Sequence, residues 1–415
     1  MAEDQRAAGL QIQTVSSRRP NGTPIQTGRD PLAAYGESLE QILDVTGWKA
    51  GVDLDEVYAR TQSEVADAVA QADRTRQAIR ERLFPAIRAR QRDLPCAGVY
   101  QMTPDQVASV HRHVLFNGGV EASDGTMRVF ESLPLTITQI GVALVSYKGN
   151  QGTYSHRLYR RDLREKGLDP AEEALALLEN RQRHSSDTDE AGSSSTLFRR
   201  GIMAYAERLL LLKKSTAPWR IGHGNPVAYE LITGAGHVDL MLRPAIDVLQ
   251  ELLLNHQRVI YVVSDPADRV LRTIADTLNP LEFAIIEDMS EQLFRITGTE
   301  ENPRLAHYSA KDAKVAREFA REVGHAMVVG VYRASRAAPG QVFYAHRDHA
   351  HEAAAIVMAD SVLQDFRGFP MLIDLADMIC AATFDAATFT ASIQTAFAHA
   401  GAPGRYLDER ATRRR

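Results

Sequence analysis

The first ninety or so residues show a polar segment followed by a long helical pattern. Residues 1 to about 30 have no apolar period, which predicts a disordered amino terminus. Within residues 31–95, apolar side chains recur at spacings of three and four, which predicts a helical arm. Its apolar stripe is thin, so we expect the arm to pack against the protein's own core or a second subunit.

A β-hairpin pattern follows the arm. Val120–Thr126 is followed by Leu135–Tyr147, which is rich in β-branched residues and partly alternates. Together the two runs predict a hairpin or meander with Asp124 at the end of its first strand. Residues 180–195 are a low-complexity segment of small and charged residues, which predicts a flexible loop between two helices.

Strand and helix patterns alternate from Val227 onward. We predict strands over 227–233, 258–264, 284–286, 326–332 and 342–344, and helices over 239–255, 267–278, 311–323, 350–363 and 371–398. Pro244 predicts that the first of these helices truly starts near that residue. An antiparallel opening followed by this alternation predicts a mixed α/β sheet flanked by helices, over a core of residues 96–400, with a basic tail over 401–415.

Composition narrows the class of protein. With 44% apolar and 24% charged residues in 415, the chain is typical of a soluble globular protein. Its two cysteines, Cys96 and Cys380, exclude a disulfide scaffold and a cysteine-rich zinc site. The chain has no apolar run near the roughly 20 residues of a membrane span and no signal-peptide pattern, so we expect a cytoplasmic location. Because the net charge is -5, any DNA binding must use a local basic patch or a partner.

The candidate chemistry lies in carboxylates set in apolar or tightly turned segments. Asp124 is part of an Asp-Gly-Thr sequence, which also fits a simple turn. Glu207 lies beside the buried stripe of its helix, where a carboxylate must be paired or bound to a metal; a helix-flank glutamate beside Arg208 is the alternative. Glu230 lies inside the apolar strand predicted over 227–233, where charged residues are rare.

Further polar residues fall near predicted helix starts. Asp374 and Asp377 are three apart and share one helix face, which indicates either a polar cavity or a solvent-exposed stripe. Asp265 and Asp268 are interpreted as helix caps. The segment 346–352 contains three histidines at spacings of three and two, which is no established zinc pattern, so we interpret it as a polar loop before a helix. A zinc hydrolase built on these histidines is the weaker alternative.

Basic residues cluster after the long strand and around the next helix. Such residues can follow a phosphate backbone, and a solvated face balanced by nearby acids is the alternative. The candidate nucleic-acid residues are Arg157, Arg160, Arg161, Arg200, Lys213 and Lys214.

The order of these pieces resembles the NurA nuclease family from about Val120 to Arg415. Ser123-Asp124-Gly125-Thr126 looks like the family's opening Asp-Gly-Ser motif, and Glu207 looks like its second acidic position. Tyr229–Gly234 looks like its second Asp-Gly strand, with Thr233 in place of the Asp. Gly368-Phe369-Pro370 and Leu375-Ala376-Asp377 look like its C-terminal Gly-Tyr-Pro and Ala-His motifs, with Asp377 in place of the His.

The resemblance implies an RNase H-like core and a metal-dependent DNA nuclease. Mn²⁺ or Mg²⁺ would be held by Asp124, Glu207, Glu230 and Asp377, and two such ions roughly 4 Å apart activate water and stabilise the leaving oxygen. It also implies a homodimer that docks on a HerA-type hexameric DNA translocase, in DNA end processing or antiphage defence. The alternative is a degenerate NurA-like subunit that binds DNA or the translocase without cutting, and Thr233 is the feature that supports it.

Overall fold

Two compact units, Met1–Thr75 and Arg76–Arg415, make up the computed structural model. The segments predicted as a disordered amino terminus and a basic tail lie outside the described residues, except for 401–403. The structure describes residues 35–48, 54–132, 135–160, 188–264, 268–299 and 308–403, together with 32, 171, 172 and 175.

Helices form the described part of the first unit. Helix α1, Leu39–Leu43, starts with a capping box in which the Ser38 hydroxyl accepts from the Gln41 N–H and the Gln41 side chain accepts from the Ser38 N–H. Helix α2, Leu54–Ala89, begins in this unit and continues through Pro85 in the second. Its buried side chains are Phe84 and Ile87, both near its carboxyl end.

A nine-stranded mixed sheet forms the centre of the second unit, in the order β1-β7-β8-β9-β6-β5-β2-β3-β4. The strands are β1 Gly98–Gln101, β2 Val120–Phe130, β3 Thr136–Ser146, β4 Gly149–Arg160, β5 Trp219–His223, β6 Val259–Val263, β7 Glu282–Asp288, β8 Met327–Arg333 and β9 Gln341–His346.

Five of these strands have the RNase H-like arrangement. β2, β3 and β4 form an antiparallel meander, and β5 and then β6 add in parallel on the other side of β2. β9, β8, β7 and β1 extend this core as antiparallel neighbours beyond β6. The predicted RNase H-like mixed sheet flanked by helices is therefore confirmed.

Helices cover both faces of the sheet. They are α3 Pro104–Val110, α4 Thr188–Lys213, α5 Tyr229–Ile232, α6 Val238–Gln250, α7 Arg269–Asp276, α8 Ser290–Thr297, α9 Ala310–Ala326, α10 Ala350–Val362, α11 Met371–Thr383 and α12 Ala386–His399. One apolar core lies between the sheet and α2, α4, α6, α7 and α9, and a second lies between the sheet and α3, α10 and α11. Of the described helices, none is long and apolar enough to cross a membrane.

Several predicted elements differ from the structure. The segment 227–233, predicted as a strand, contains the short helix α5, because a short apolar run fits a buried strand and a buried helix equally well. Helix α6 starts at Val238 and continues through Pro244 instead of starting there. Helix α4 already begins at Thr188, inside the segment predicted as a loop over 180–195, and residues 180–187 lie outside the described part.

An ion pair joins α2 to the sheet within the second unit. The Arg80 guanidinium donates to both carboxylate oxygens of Glu282, at 2.7 and 3.0 Å, and to the Thr277 carbonyl at 2.7 Å. The two side chains are only 20% and 9% exposed. Burial alone would raise the pKa of Glu282, but hydrogen bonds from Arg80 and Asn279 hold it below its ordinary value.

Replacing Arg80 by Ala is expected to lower the free energy of unfolding by about 2–3 kcal/mol at pH 7, because it leaves the buried Glu282 carboxylate without its cation. Since the pKa of Glu282 is depressed in the folded state, this contribution is present above its ordinary value of 4.5 and is lost as the pH falls through the folded pKa. Urea unfolding at pH 7 and pH 3.5 measures both effects.

Arg60→Ala is the matched control, since the ion pair of Arg60 with Glu37 is 70% and 47% exposed. It should change stability by no more than about 0.5 kcal/mol. Equal losses of stability in the two variants, or a loss in Arg80→Ala that is no smaller at pH 3.5 than at pH 7, would show that the pair does not stabilise the fold in this way.

Candidate active site

The site lies at the point along β2 where its pairing with β5 ends. β5 pairs with β2 as far as Ser123, opposite Gly222, whereas β3 continues along the other edge of β2 to Phe130. Asp124 was expected at the end of its strand, but β2 extends six residues beyond it. The edge of β2 from Asp124 onward is therefore not covered by β5, and a cavity of about 550 Å³ lies there.

All four carboxylates predicted as site residues line this one cavity. They come from β2 (Asp124), α4 (Glu207), α5 (Glu230) and α11 (Asp377). In their present positions, no three His, Cys, Asp or Glu side chains of the described residues form a group that could hold a metal ion. The structure thus brings the predicted residues together without showing a preformed ligand set.

Glu207 reaches the sheet because residue 125 is glycine. A Cβ atom at Gly125 would lie 2.5 Å from Glu207 Oε1 and 2.9 Å from Met203 Cγ, both on α4. The Gly125 N–H donates to Asp124 Oδ1 at 2.9 Å, which turns that carboxylate toward the same edge. Burial first, and the charge of Asp124 second, raise the pKa of Glu207 to about 8.

Arg208, next in the chain, is buried and anchors the turn that follows β5. Its guanidinium donates to three backbone carbonyls, those of Ala204, Asn225 and Pro226, and lies over the ring of Tyr261. Its Nη1 atom is 3.5 Å from Glu207 Oε2, so its charge offsets part of the negative charge there. The interpretation of Glu207 as an ordinary helix-flank residue is wrong, because its side chain is buried against β2.

His223, the last residue of β5, is a site residue that the sequence reasoning missed. Its Nδ1 atom lies 3.4 Å from Asp124 Oδ1, its Nε2 atom lies 3.1 Å from Ser264 Oγ, and its ring meets Phe369 edge-on. Burial lowers the pKa of His223, but the hydrogen bond and charge of Asp124, with Glu207 and Asp377, raise it above its ordinary value. A five-residue strand containing Arg220 gives too short a pattern to reveal it.

Helix α11 carries Asp374 and Asp377, and both line the cavity, as one of the two interpretations of their spacing predicts. Asp374 accepts hydrogen bonds from Gln364 and Arg367. Partial burial, and then the charge of Asp124, raise the pKa of Asp377. Asp377 therefore belongs to the acidic group around Asp124, whereas Asp374 is tied to the turn before α11.

A carboxylate from another helix caps α11. Asp360 of α10 is fully buried, and it accepts from the Leu372 N–H in the first turn of α11 at 3.0 Å and from the Tyr147 hydroxyl. Burial raises the pKa of Asp360 to about 6. This contact fixes the start of α11 and with it the position of Asp377.

Glu230 and Thr233 are not strand residues. Glu230 lies in the first turn of α5 and pairs with Arg200 at 2.9 Å, and Thr233 ends that helix by donating to the Tyr229 carbonyl. The correspondence of Tyr229–Gly234 with a second Asp-Gly strand is therefore wrong. The parallel strand that lies beside β2 is β5, which ends at His223 and is followed by Gly224.

The predicted nucleic-acid residues lie in different surroundings. Arg200 lines the cavity, while Arg157 on β4 donates to Gln139 and lies over Phe389. Lys213 is exposed, and Lys214 lies over Tyr154. Arg160 ends β4, and Arg161 is outside the described residues.

Asp268 and the histidine segment 346–352 both lie at the start of a helix. Asp268 caps α7 as predicted, and Asp265 is outside the described residues. The histidine segment forms a short turn, Arg347–His349, that leads into α10 as predicted.

No protein-family model and no curated protein sequence matches this chain. Similar solved structures include NurA, with 8% identity, a TM-score of 0.43 and coverage of 80% of this chain and 96% of that one. The NurA nuclease from Sulfolobus solfataricus has 9% identity and a TM-score of 0.39, with coverage of 68% and 84%. Endonuclease V from Ciona intestinalis, in complex with a 24mer DNA, has 13% identity and a TM-score of 0.25, with coverage of 64% and 84%. NurA, the family that the sequence resembles, is thus among the similar solved structures.

Replacing Glu207 by Gln is expected to stabilise the protein at pH 8 in EDTA by roughly 1–3 kcal/mol, because the amide removes a buried charge beside Asp124. The folded pKa of about 8 lies above the ordinary 4.5, so the wild-type protein loses stability as the pH rises between these values, and the variant does not. Thermal unfolding at pH 5 and pH 8 measures the difference.

Glu322→Gln, on the exposed face of α9, serves as the control and should leave the midpoint nearly unchanged at both pH values. The difference in thermal midpoint between Glu207→Gln and the wild type should be larger at pH 8 than at pH 5. An equal difference at the two pH values would contradict the assignment of Glu207 as a buried carboxylate beside the charge of Asp124.

Proposed function

We propose that the protein is a metal-dependent DNA nuclease that hydrolyses phosphodiester bonds at the cavity beside β2. The observation that carries the proposal is the convergence of Asp124, Glu207 and Asp377, from three separate elements, with His223 at the uncovered edge of the central strand. Carboxylates brought together from distant parts of a chain repel one another, so a fold that holds them together calls for a cation as their partner.

The residues present fit a divalent ion by their chemistry. Asp124, Glu207 and Asp377 offer the hard oxygen donors that Mg²⁺ and Mn²⁺ prefer, and burial, followed by the charge of Asp124, raises the pKa values of Glu207 and Asp377. We infer that these three would hold the ion, and that Glu230 would join them only after leaving Arg200. A bound ion would supply an activated water and stabilise the charge that develops on the phosphate.

The other residues of the cavity have supporting roles. His223, held between Asp124 and Ser264, presents Nε2 near the cavity and can hold or pass a proton there. Arg200 and Arg367 place positive charge on the wall of the same cavity, where a phosphate group would enter. The acidic centre and the basic wall together suit a phosphodiester better than a neutral substrate.

We also propose the assembly implied by the sequence resemblance, a homodimer acting with a HerA-type hexameric translocase in DNA end processing or defence. The chain contains no P-loop, so movement along DNA would have to come from a partner. Light scattering of the protein with and without the translocase tests this part independently of cleavage, and a monomer that shows no mass shift would count against it.

Replacing Asp124 by Asn is expected to reduce DNA cleavage by roughly a hundredfold or more while leaving the fold intact, because the amide keeps the shape of the side chain and loses its charge. Cleavage of end-labelled single- and double-stranded DNA with Mn²⁺, Mg²⁺ or EDTA measures the effect. The thermal midpoint of the variant verifies folding.

Asp105→Asn, an exposed acidic residue in the first turn of α3, is the matched control and should cut like the wild type. DNA that the wild type binds but does not cut with either ion would favour the alternative of a binding subunit without activity. Cleavage by Asp124→Asn at the wild-type rate would contradict the assignment of the site.

A further inference from the structure

An exposed aromatic ring lies beside the candidate active site. Phe366, in the turn between α10 and α11, is 82% exposed. It lines a second cavity of about 360 Å³, together with Pro339 and Gln341. This cavity shares Ser264, Arg367 and Phe369 with the cavity that the four carboxylates line, so the two cavities are neighbours.

The turn that carries Phe366 is held firmly on both sides of the ring. The Ser335 hydroxyl donates to the Asp365 carbonyl, and the Gln341 side chain donates to the Arg367 carbonyl at 3.1 Å. Gly368 has a φ of +59°, and its N–H donates to the Gln364 carbonyl at 2.7 Å. A ring held in water by a fixed backbone loses little conformational freedom when a flat ligand stacks on it.

A guanidinium lines both cavities. Arg367 contacts the Asp374 carboxylate, and its guanidinium lies 5.2 Å from the centroid of the Phe369 ring. An exposed aromatic ring beside the candidate active site has the chemistry of a nucleotide subsite, because base–aromatic stacking accepts every base. A protein segment could pack on the apolar ring, but binding it would not require the carboxylates of the neighbouring cavity.

We propose that Phe366 and its cavity form a stacking site for the base of the nucleotide beside the phosphate that is cut. This inference rests on the proposed nuclease function, which it deepens by naming the substrate. A base inside a duplex is covered by its neighbours on both faces, so a base stacked on Phe366 belongs to an unpaired strand or to the last pair at a duplex end. The substrate is therefore nucleic acid that is single-stranded, or that ends, at the point of cleavage.

Binding of a short fluorescein-labelled single-stranded DNA to the full-length protein in EDTA tests the inference without requiring cleavage. Phe366→Ala should weaken binding roughly 5- to 100-fold, the range found for loss of one base–aromatic stack, and Phe366→Trp should retain it. Tyr58→Ala, which removes a ring that is 65% exposed on α2, is the control and should bind like the wild type.

An abasic site moved along the oligonucleotide supplies the decisive comparison. At one position along the oligonucleotide, the abasic site should weaken binding by the wild type as much as Phe366→Ala does. At that same position, it should not weaken binding by Phe366→Ala any further. Equal affinity of wild type and Phe366→Ala for the single strand, or additive losses at every abasic position, would overturn the inference. Failure of the proposed function appears separately, as an absence of cleavage with Mn²⁺ or Mg²⁺ while binding that depends on Phe366 persists.

Discussion

The pairing of β2 with two neighbours of unequal length is the constraint on which the site depends. β3 holds one edge of β2 along its length, and β5 holds the other edge only as far as Ser123. Beyond that point the strand remains rigid because of β3, while its free edge is open to helices on both faces of the sheet. Side chains from α4 and α11 therefore meet at Asp124, although these helices belong to separate apolar cores.

The carboxylates of Asp124, Glu207 and Asp377 line one cavity, and the arginines near them already have other partners. Arg208 is committed to three backbone carbonyls, Arg200 is committed to Glu230, and Arg367 is committed to Asp374. These arginines therefore hold the lining of the cavity in place more than they neutralise the carboxylates beside Asp124. Such a cavity lowers the stability of the protein when it is empty, which is the usual relation between stability and function at a site shaped for a charged ligand.

The sequence predicts part of this site. Local pattern marks Asp124, Glu207 and Asp377 as carboxylates in apolar or tightly turned segments, and the resemblance to the NurA family is what selects them as site residues. The β-branched residues of β3 predict the hairpin that it forms with β2. His223 could not be found, because its strand is short and its importance comes only from pairing with β2. The helix α5 was mistaken for a strand because four or five apolar residues carry no period, and tertiary packing decides their conformation.

Gly125 and Glu207 lie 82 positions apart in the chain, yet they share one small volume. A side chain at position 125 would meet the Glu207 carboxylate, which would have to turn away from β2 to make room for it. Among diverged chains with this fold, glutamate at position 207 should therefore be accompanied by glycine at position 125, whereas the glycine can remain where the glutamate is lost. This one-sided dependence would identify the equivalent of α4 in relatives whose overall sequence no longer aligns.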